Sequence, residues 1–520
     1  MHSPRPIPQT LTAKHGAVAA LLVVVIFGVV RDVSMLFSYP VAVGTDGYYY
    51  VLQVRELHNH GHLYYPTGTP FVFYLLTGLS VLTGDSILAI KLGSIAFHAL
   101  LGIGIYALLT ALTHNRWLGV LGCALAALSA MHFYMIAEFI KNLGAITFLI
   151  WSAWAAIRAS ESESRRRVQW YLLSATLFVA ALLSHKSAWA VAFALTLLSL
   201  LLYRFESRER SSRTTLRRYA PLILVVIFLA IIPALVAQQT LVEIPAWIGK
   251  EILGKPEWPL SFTTPVGKVE RLVLLIVAPL FLVLTERYRE LVAPRHFKSI
   301  VGAVGLWSLL VTLNPFLNHD VKQLGVVGRL DHLMYIQLAV LVPGLIWVVQ
   351  RTNRRATFVV LALTLVITTA SLSASLPKGL QPRYLFNRTQ MIAHLPALRA
   401  EFDANSQVIA AHGDEFIVTW LLGMDARQSM SPSSQSKSIY WLLHYVEPST
   451  LTPSISVVME QEGDWCMVLV RHGELSQWIN AMSEPEKYHL LAQNPHLKKY
   501  LQTPVQSPPQ ASKGVYDENF

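Results

Sequence analysis

The sequence predicts an all-α polytopic membrane protein with a small α/β domain at its C-terminal end. Hydrophobic residues make up 53% of the 520 residues, charged residues only 14%, and the mean hydropathy is +0.44. A soluble protein carries roughly a quarter charged residues. The apolar residues lie in long blocks, such as 16–30 and 222–237, whose length suits a hydrocarbon layer of roughly 30 Å. A soluble enzyme, a disulfide-rich secreted protein and a disordered chain are therefore excluded.

Eleven apolar stretches predict about eleven membrane-spanning helices. Their approximate bounds are 15–37, 86–112, 117–135, 138–157, 168–184, 187–203, 218–237, 269–285, 300–316, 331–350 and 356–376. No small-residue cleavage site follows the first stretch, and Arg31-Asp32 interrupts its end. We therefore expect it to be an anchored helix rather than a signal peptide.

The basic residues predict the orientation of these spans. With the N-terminus in the cytoplasm, the cytoplasmic segments hold 20 Lys and Arg, and the outer loops hold 7. Cytoplasmic loops carry such an excess in membrane proteins. The net charge of +11 divides into +14 for the membrane portion and −3 for residues 377–520. The basic isoelectric point therefore reflects topology, and no nucleic-acid partner is expected.

An odd number of spans places the end of the chain outside the cytoplasm. Residues 1–376 are predicted to form the membrane domain, 377–502 a soluble extracytoplasmic domain and 503–520 a disordered tail. Within the soluble domain, 406–411 and 466–470 are typical of strands and 481–500 of a helix. The two cysteines, Cys123 and Cys466, support neither a disulfide framework nor a cysteine metal site.

The first outer loop, residues 38–85, is long and rich in tyrosine. Its apolar stretch Phe71–Leu82 is too short to cross a membrane and predicts an interfacial or re-entrant helix. Asp46 follows the first span and precedes Gly47 and three tyrosines. A carboxylate held partly out of water at this depth gains basicity, which suits a general base. The alternative is that Asp46 only caps a helix over 47–58.

A second acidic residue is predicted at the outer end of the fourth span. Glu138 and Lys141 are three residues apart, so on one helix they would share a face and form a simple ion pair. Charged residues at the edge of the hydrocarbon are costly and are often functional. Asp46 and Glu138 are therefore candidates for an acid/base pair or a divalent-metal pair, and the structural interpretation stays open beside the functional one.

Three further polar residues are predicted on the outer face. His185 and Lys186 lie between the fifth and sixth spans, and Arg329 precedes the tenth. Lys186 and Arg329 would stand at the depth of lipid phosphates, where cations bind phosphate or pyrophosphate. The alternative is that their side chains only extend to the membrane surface.

The order of short motifs after the first span resembles that of the integral-membrane GT-C glycosyltransferases. These motifs are Asp-Gly-Tyr-Tyr-Tyr (46–50), Tyr-Tyr-Pro-Thr-Gly-Thr-Pro (64–70), Phe-Tyr-Leu-Leu (73–76) and Gly-Asp-Ser-Ile-Leu-Ala-Ile-Lys-Leu (84–92). They look like protein O-mannosyltransferases and lipid A aminoarabinose transferases and, more distantly, the oligosaccharyltransferase catalytic subunit. The resemblance covers about residues 15–350 and is dense in motifs over 40–150.

This resemblance implies transfer of a hexosyl or pentosyl group from a polyprenyl phosphate or pyrophosphate to a lipid, glycan or protein acceptor. It implies that Asp46 is the base or acceptor-orienting group and that Glu138 binds a divalent metal or positions the acceptor. Arg329, with Lys186 as a second candidate, would contact the donor phosphate. Tyr48, Tyr49, His185 and Lys141 would shape the donor or acceptor site. A bacterial inner membrane is the expected location.

Two features limit the resemblance, and two other functions compete with it. The tail lacks a Trp-Trp-Asp motif, which argues against a true oligosaccharyltransferase, and a single Asp46 stands where some relatives have an acidic pair. The main alternative is a transporter or flippase for a lipid-linked or amphipathic solute, which would need charged or broken helices at mid-membrane. A non-catalytic scaffold is the third possibility.

Overall fold

The described residues form two compact units. The computed structural model describes residues 11–185, 268–288, 295–313, 333–352, 380–403, 405–430, 438–452, 455–461 and 465–502, with short pieces between 188 and 202 and at 357 and 364. The membrane unit comprises 1–38, 42–44 and 53–381, and the C-terminal unit comprises 39–41, 45–52 and 382–520. Two pieces of the first outer loop therefore belong to the C-terminal unit.

Helices build the membrane unit, and most of them are apolar. In the described part of the chain they are α1 (Leu11–Leu36), α2 (Gly47–His60, whose first turns belong to the C-terminal unit), α3 (Phe71–Thr83), α4 (Ser86–Thr113), α5 (Arg116–Leu128), α6 (Met131–Ala137), α7 (Ile140–Glu161), α8 (Ser164–Ser184), α9 (Lys268–Arg287), α10 (Arg295–Leu313) and α11 (Met334–Thr352). By length and composition, α4, α7, α8, α11 and α1 from His15 onward can each cross a membrane. The predicted spans 218–237 and 356–376 and part of 187–203 fall outside the described residues.

Local side-chain hydrogen bonds set several helix boundaries. The Asp85 carboxylate accepts hydrogen bonds from the backbone N–H groups of Ile87 and Leu88, at 2.7 and 3.2 Å, and so begins α4. Asn115 begins α5 in the same way through the N–H of Trp117, at 3.0 Å. The short apolar helix predicted over Phe71–Leu82 is confirmed as α3.

The third predicted span, 117–135, is a bent pair of helices. It consists of α5 and α6, which meet at an angle of 65°. Ser129 has an extended backbone at the break, and its hydroxyl accepts a hydrogen bond from the Met131 N–H at 3.1 Å. A serine that bonds to the backbone two residues ahead offers the chain an alternative to the helix ladder. This local hydrogen bond favours the break, and apolar periodicity does not register it.

The C-terminal unit contains a five-stranded sheet with the order β2-β1-β3-β5-β4. Its strands are β1 (Ser406–Ile409), β2 (Asp425–Arg427), β3 (Ser438–Val446), β4 (Ser456–Gln461) and β5 (Trp465–Arg471). β1 pairs in parallel with β2 and β3, while β5 pairs antiparallel with β3 and with β4. Trp441, Val468 and Leu475 lie in its buried core. The two predicted strands are confirmed as β1 and β5.

Five α-helices accompany this sheet in the described residues. They are α12 (Pro382–His394), α13 (Asp414–Leu422), α14 (His472–Ala481), α15 (Glu484–Gln493) and α16 (Pro495–Gln502). The stretch 481–500, predicted to be helical, is helical in two pieces, because Ser483 and Glu486 form a capping box that starts α15 and Pro495 starts α16. The predicted disordered tail, 503–520, lies outside the described residues.

Candidate functional site

Asp46 lies within the C-terminal unit, directly before α2, and pairs with a histidine of that unit. Asp46 Oδ1 is 3.1 Å from His412 Nε2, and the other ring nitrogen of His412 is 3.2 Å from Glu415 Oε1. The Gln428 amide donates to the same Glu415 oxygen at 2.8 Å. The Asp46 side chain is 24% exposed and that of His412 is 52% exposed. The imidazole therefore bridges two carboxylates at an accessible position.

The chain brings His412 to Asp46 through the turn that joins β1 to α13. Gly413 adopts a φ of +97°, a conformation that favours glycine. A Cβ at Gly413 would lie 2.7 Å from the carbonyl oxygen of Thr45 and 2.7 Å from a guanidinium nitrogen of Arg388. That guanidinium donates to the same Thr45 oxygen at 2.9 Å, and Arg388 is only 1% exposed. The backbone before Asp46 is thus packed directly against this turn.

Aromatic contacts hold the tyrosines that follow Asp46. The ring centroids of Tyr48 and Trp420 are 5.0 Å apart, and those of Tyr49 and Phe416 are 5.5 Å apart. Tyr48 is fully buried. Its ring therefore packs inside the C-terminal unit, whereas Tyr49 is only partly buried.

The two carboxylates around His412 hold its imidazole in the charged form. Hydrogen bonds from the ring to Asp46 and then to Glu415 raise the pKa of His412 to about 10 and outweigh the opposing effect of burial. The ring is therefore positively charged at neutral pH. The charged groups nearest to it are Asp46, Glu415 and, behind Gly413, Arg388.

The charged His412 predicts a specific pH dependence of stability. Because its pKa rises from 6.5 to about 10 on folding, its contribution is complete below about pH 6.5 and is lost as the pH rises through about 10. The ring is 52% exposed, so we expect a screened contribution of only about 0.5–1 kcal/mol. The apparent Tm of the wild type should exceed that of His412→Gln at about pH 6.5, and the difference should disappear above about pH 10. A difference that grows with pH, or an equal effect of His394→Gln, would contradict this.

Glu138 and Lys141 lie in the membrane unit, but not on one helix. α7 begins at Ile140, and Glu138 is the residue that ends α6. Glu138 and Lys141 therefore do not share the face of one helix. Both side chains are buried, with exposures of 8% and 7%. The Lys141 ammonium donates to the hydroxyls of Thr69 and Thr67, at 3.1 and 3.3 Å. These bonds link α7 to the end of the first outer loop.

The remaining predicted residues are placed only in part. His185 ends α8 and is 8% exposed. Lys186 and Arg329 lie outside the described residues, so their phosphate-binding roles stay predictions.

A second polar cluster lies inside the membrane unit. Asp32 of α1, His98 of α4 and His132 of α6 are all buried, and the candidate ligand atoms of the three residues lie within 4.8 Å of one another. His98 Nδ1 is 2.5 Å from Asp32 Oδ2, and His132 Nε2 is 2.8 Å from Asp32 Oδ1. In the sequence, Asp32 stands out only as part of the Arg31-Asp32 pair at the end of the first span.

This cluster has the residue types of a metal site, and its side chains are hydrogen-bonded to one another. The two imidazoles are stacked, with centroids 4.4 Å apart and an interplanar angle of 17°. An Arg31 guanidinium nitrogen lies 2.7 Å from His132 Nδ1, where a positive charge opposes a cation. The same guanidinium donates to the Ala127 and Leu128 carbonyls at the end of α5, at 2.5 and 3.3 Å. The cluster therefore stabilises the break between α5 and α6.

Comparison with known proteins gives one family match. Residues 67–236 match the family described as dolichyl-phosphate-mannose-protein mannosyltransferase, so the match includes Glu138 and Lys141 but not Asp46. No curated protein sequence matches the chain. A similar solved structure is the archaeal oligosaccharyltransferase AglB from Archaeoglobus fulgidus, in complex with an inhibitory peptide and a dolichol-phosphate. It is 12% identical, with a TM-score of 0.49, over 80% of this chain and 65% of that chain.

The chain therefore spans less than two thirds of the AglB structure. Together with the apolar helices, the family match shows an integral membrane protein. The resemblance to the GT-C glycosyltransferases that the first outer loop predicts is confirmed.

Proposed function

We propose that the protein is a membrane glycosyltransferase that moves a sugar from a polyprenyl phosphate or pyrophosphate to an acceptor on the non-cytoplasmic face. The observation that carries this proposal is the family match over residues 67–236, a family whose description names a lipid-phosphate sugar donor. The N-terminus is then cytoplasmic and the C-terminal unit extracytoplasmic, as the distribution of basic residues predicts. A bacterial inner membrane is the proposed location.

The proposed reaction replaces one bond at the anomeric carbon of the sugar. The bond from that carbon to the donor phosphate oxygen breaks, and a bond from the acceptor oxygen forms. Asp46 orients the acceptor hydroxyl and takes its proton as this bond forms. The departing phosphate gains negative charge, which Arg329 or Lys186 stabilises. Glu138 positions the acceptor, Lys141 holds the loop around Thr67 and Thr69, and Tyr49 and His185 shape the substrate site.

One oxygen of Asp46, Oδ1, is a poor ligand for a divalent metal. Its Oδ1 already forms an ion pair with the positively charged His412, 3.1 Å away. A divalent cation at the same oxygen would face a like charge at close range. The reaction is therefore derived without a metal at Asp46.

Whether a divalent metal acts in the reaction can be tested directly. We expect sugar transfer by the purified protein to survive an excess of EDTA and subsequent removal of the chelated ions. Addition of Mg²⁺ or Mn²⁺ afterwards should not raise the rate. Loss of transfer with EDTA, and its recovery with either cation, would show that a metal acts in the reaction.

A transporter or flippase is the second candidate, and one observation favours it. The 65° break between α5 and α6, beside buried charges in α1, is a feature of many transporters. The charged groups are, however, bonded to one another and to the end of α5. They hold the break together rather than line a path through the described helices.

A single assay separates the two candidates. Purified protein in proteoliposomes is given radiolabelled polyprenyl-phosphate mannose and other polyprenyl-phosphate sugars, with membrane lipid extract, glycan and peptide acceptors. The proposal predicts release of free polyprenyl phosphate and labelled acceptor, with a slower rate for Glu138→Gln. Movement of the labelled lipid between leaflets without transfer would overturn the enzyme and support the flippase.

A further inference from the structure

We propose that the C-terminal unit is part of the transfer machinery, with His412 as the positioning residue that orients the Asp46 carboxylate. This inference rests on the proposed function. It adds a residue that lies far beyond the stretch that the family match covers, which ends at residue 236. The first observation that carries it is that the segment 45–52 belongs to the same compact unit as residues 382–520.

The position of His412 in the sheet is the second observation. β1 runs parallel to both of its neighbours, and His412 lies in the turn that follows it, before α13. In open α/β sheets, ligands bind outside the carboxyl ends of parallel strands. Here that place is taken by the chain of the first outer loop, through contacts of Gly413 and Arg388 with Thr45. The C-terminal unit thus uses a site suited to a ligand to hold Asp46.

Several independent contacts make this arrangement specific. Arg388 donates to the Thr45 carbonyl at 2.9 Å and to the Tyr384 hydroxyl at 2.6 Å while it is almost fully buried. Tyr48 packs on Trp420 immediately after Asp46. The backbone on both sides of Asp46 is therefore held by the unit that supplies His412. A surface histidine that met an aspartate by chance would not be accompanied by such contacts.

The hydrogen bonds of His412 explain what it does for Asp46. Its ring contacts Asp46 on one side and Glu415 on the other, while Gln428 donates to Glu415. The imidazole is thus itself oriented, as a positioning residue must be, and in turn limits the rotation of the Asp46 carboxylate. A misplacement of about 1 Å in a reacting group can cost about 100-fold in rate. The effect should therefore appear in kcat and not in the affinity for the donor.

The test compares His412→Gln and His412→Ala in the full-length protein. Glutamine keeps an N–H donor without the charge, whereas alanine removes both. With polyprenyl-phosphate mannose as the probe, we expect kcat to fall roughly 10- to 100-fold in His412→Ala and less in His412→Gln, with KM for the donor little changed. The control is His394→Ala, which alters an exposed histidine at the end of α12 and should leave kcat unchanged.

Non-additivity separates positioning from a general effect on folding. The double variant Asp46→Asn with His412→Ala should be no slower than Asp46→Asn alone, because His412 acts through Asp46. Additive losses, or full kcat in His412→Ala, would overturn the proposal.

A structural measurement keeps the inference separate from the proposed function. Hydrogen exchange of the segment 45–52 should become faster in His412→Ala and stay unchanged in His394→Ala. If the wild type transfers no sugar, the proposed function fails. Unchanged exchange of 45–52 in His412→Ala would overturn the placement of Asp46 by His412, whatever the activity.

Discussion

Replacing Asp46 with asparagine is expected to lower the rate of sugar transfer by about 10²- to 10⁴-fold, the range for loss of a general acid or base. Asparagine has the same shape and still accepts a hydrogen bond from the His412 ring, 3.1 Å from the native carboxylate. The packing of Tyr48 and Arg388 should therefore persist. What is lost is the negative charge and the basicity that remove the proton from the acceptor. The loss should fall on kcat, because the proposed phosphate contacts come from other residues.

The matched control for this change is Asp85→Asn in the same outer loop. Asp85 is exposed and begins α4 by accepting two backbone hydrogen bonds. Asparagine caps helices about as well as aspartate does, so we expect little change in rate or stability. The measurement is initial-rate transfer at saturating donor, together with the apparent Tm of each purified variant. A folded Asp46→Asn protein with wild-type turnover would exclude Asp46 from the chemistry.

Replacing Asp32 with alanine is expected to destabilise the membrane unit by about 1–3 kcal/mol, the cost of leaving buried polar groups without their hydrogen-bond partner. The change removes the carboxylate that His98 and His132 contact at 2.5 and 2.8 Å in a fully buried place. It also removes a negative charge that neighbours Arg31 in the chain. Because Arg31 of α1 bonds to the end of α5 and lies beside His132 of α6, we expect the break between these two helices to loosen.

The control for this prediction is Glu161→Ala. Glu161 pairs with Arg158 at 3.3 Å, but both side chains are well exposed, at 37% and 46%. Exposed pairs contribute about 0–1 kcal/mol, so the apparent Tm should hardly move. The readouts are thermal unfolding in detergent and limited proteolysis near residues 127–132. Equal shifts for Asp32→Ala and Glu161→Ala would show that the buried cluster contributes little.

Much of the fold is predictable from the sequence because its signals are local. Apolar runs predict the spans that correspond to α1, α4, α7, α8 and α11, since a segment in hydrocarbon must satisfy its own backbone hydrogen bonds, as a helix does. The alternating and apolar runs of the tail likewise predict β1 and β5. The structure differs from the sequence-based expectation where side chains that cap or interrupt a helix override the apolar pattern. Ser129 interrupts the third span, and Ser483 with Glu486 starts a new helix inside 481–500.

The candidate site is predictable only as a set of residue types. The sequence singles out Asp46 by its position after the first span and Glu138 by its charge in an apolar setting. It gives no role to His412, because a partner more than 350 residues away leaves no local pattern. A His-Gly pair directly after a predicted strand and before an acidic helix start is a weak signal for that turn, and the resemblance does not extend to it.

The sequence by itself determines that this protein lies in a membrane. Its residues are 53% hydrophobic and lie in long apolar blocks, which are stable when hydrocarbon surrounds them. It also determines the order of motifs in the first outer loop and thereby the GT-C resemblance. Only the tertiary structure decides which charges meet. It places His412 and Glu415 at Asp46, and His98 and His132 at Asp32. The physical reason is that hydrophobicity depends on each residue alone, whereas an ion pair depends on the path of the whole chain between its partners.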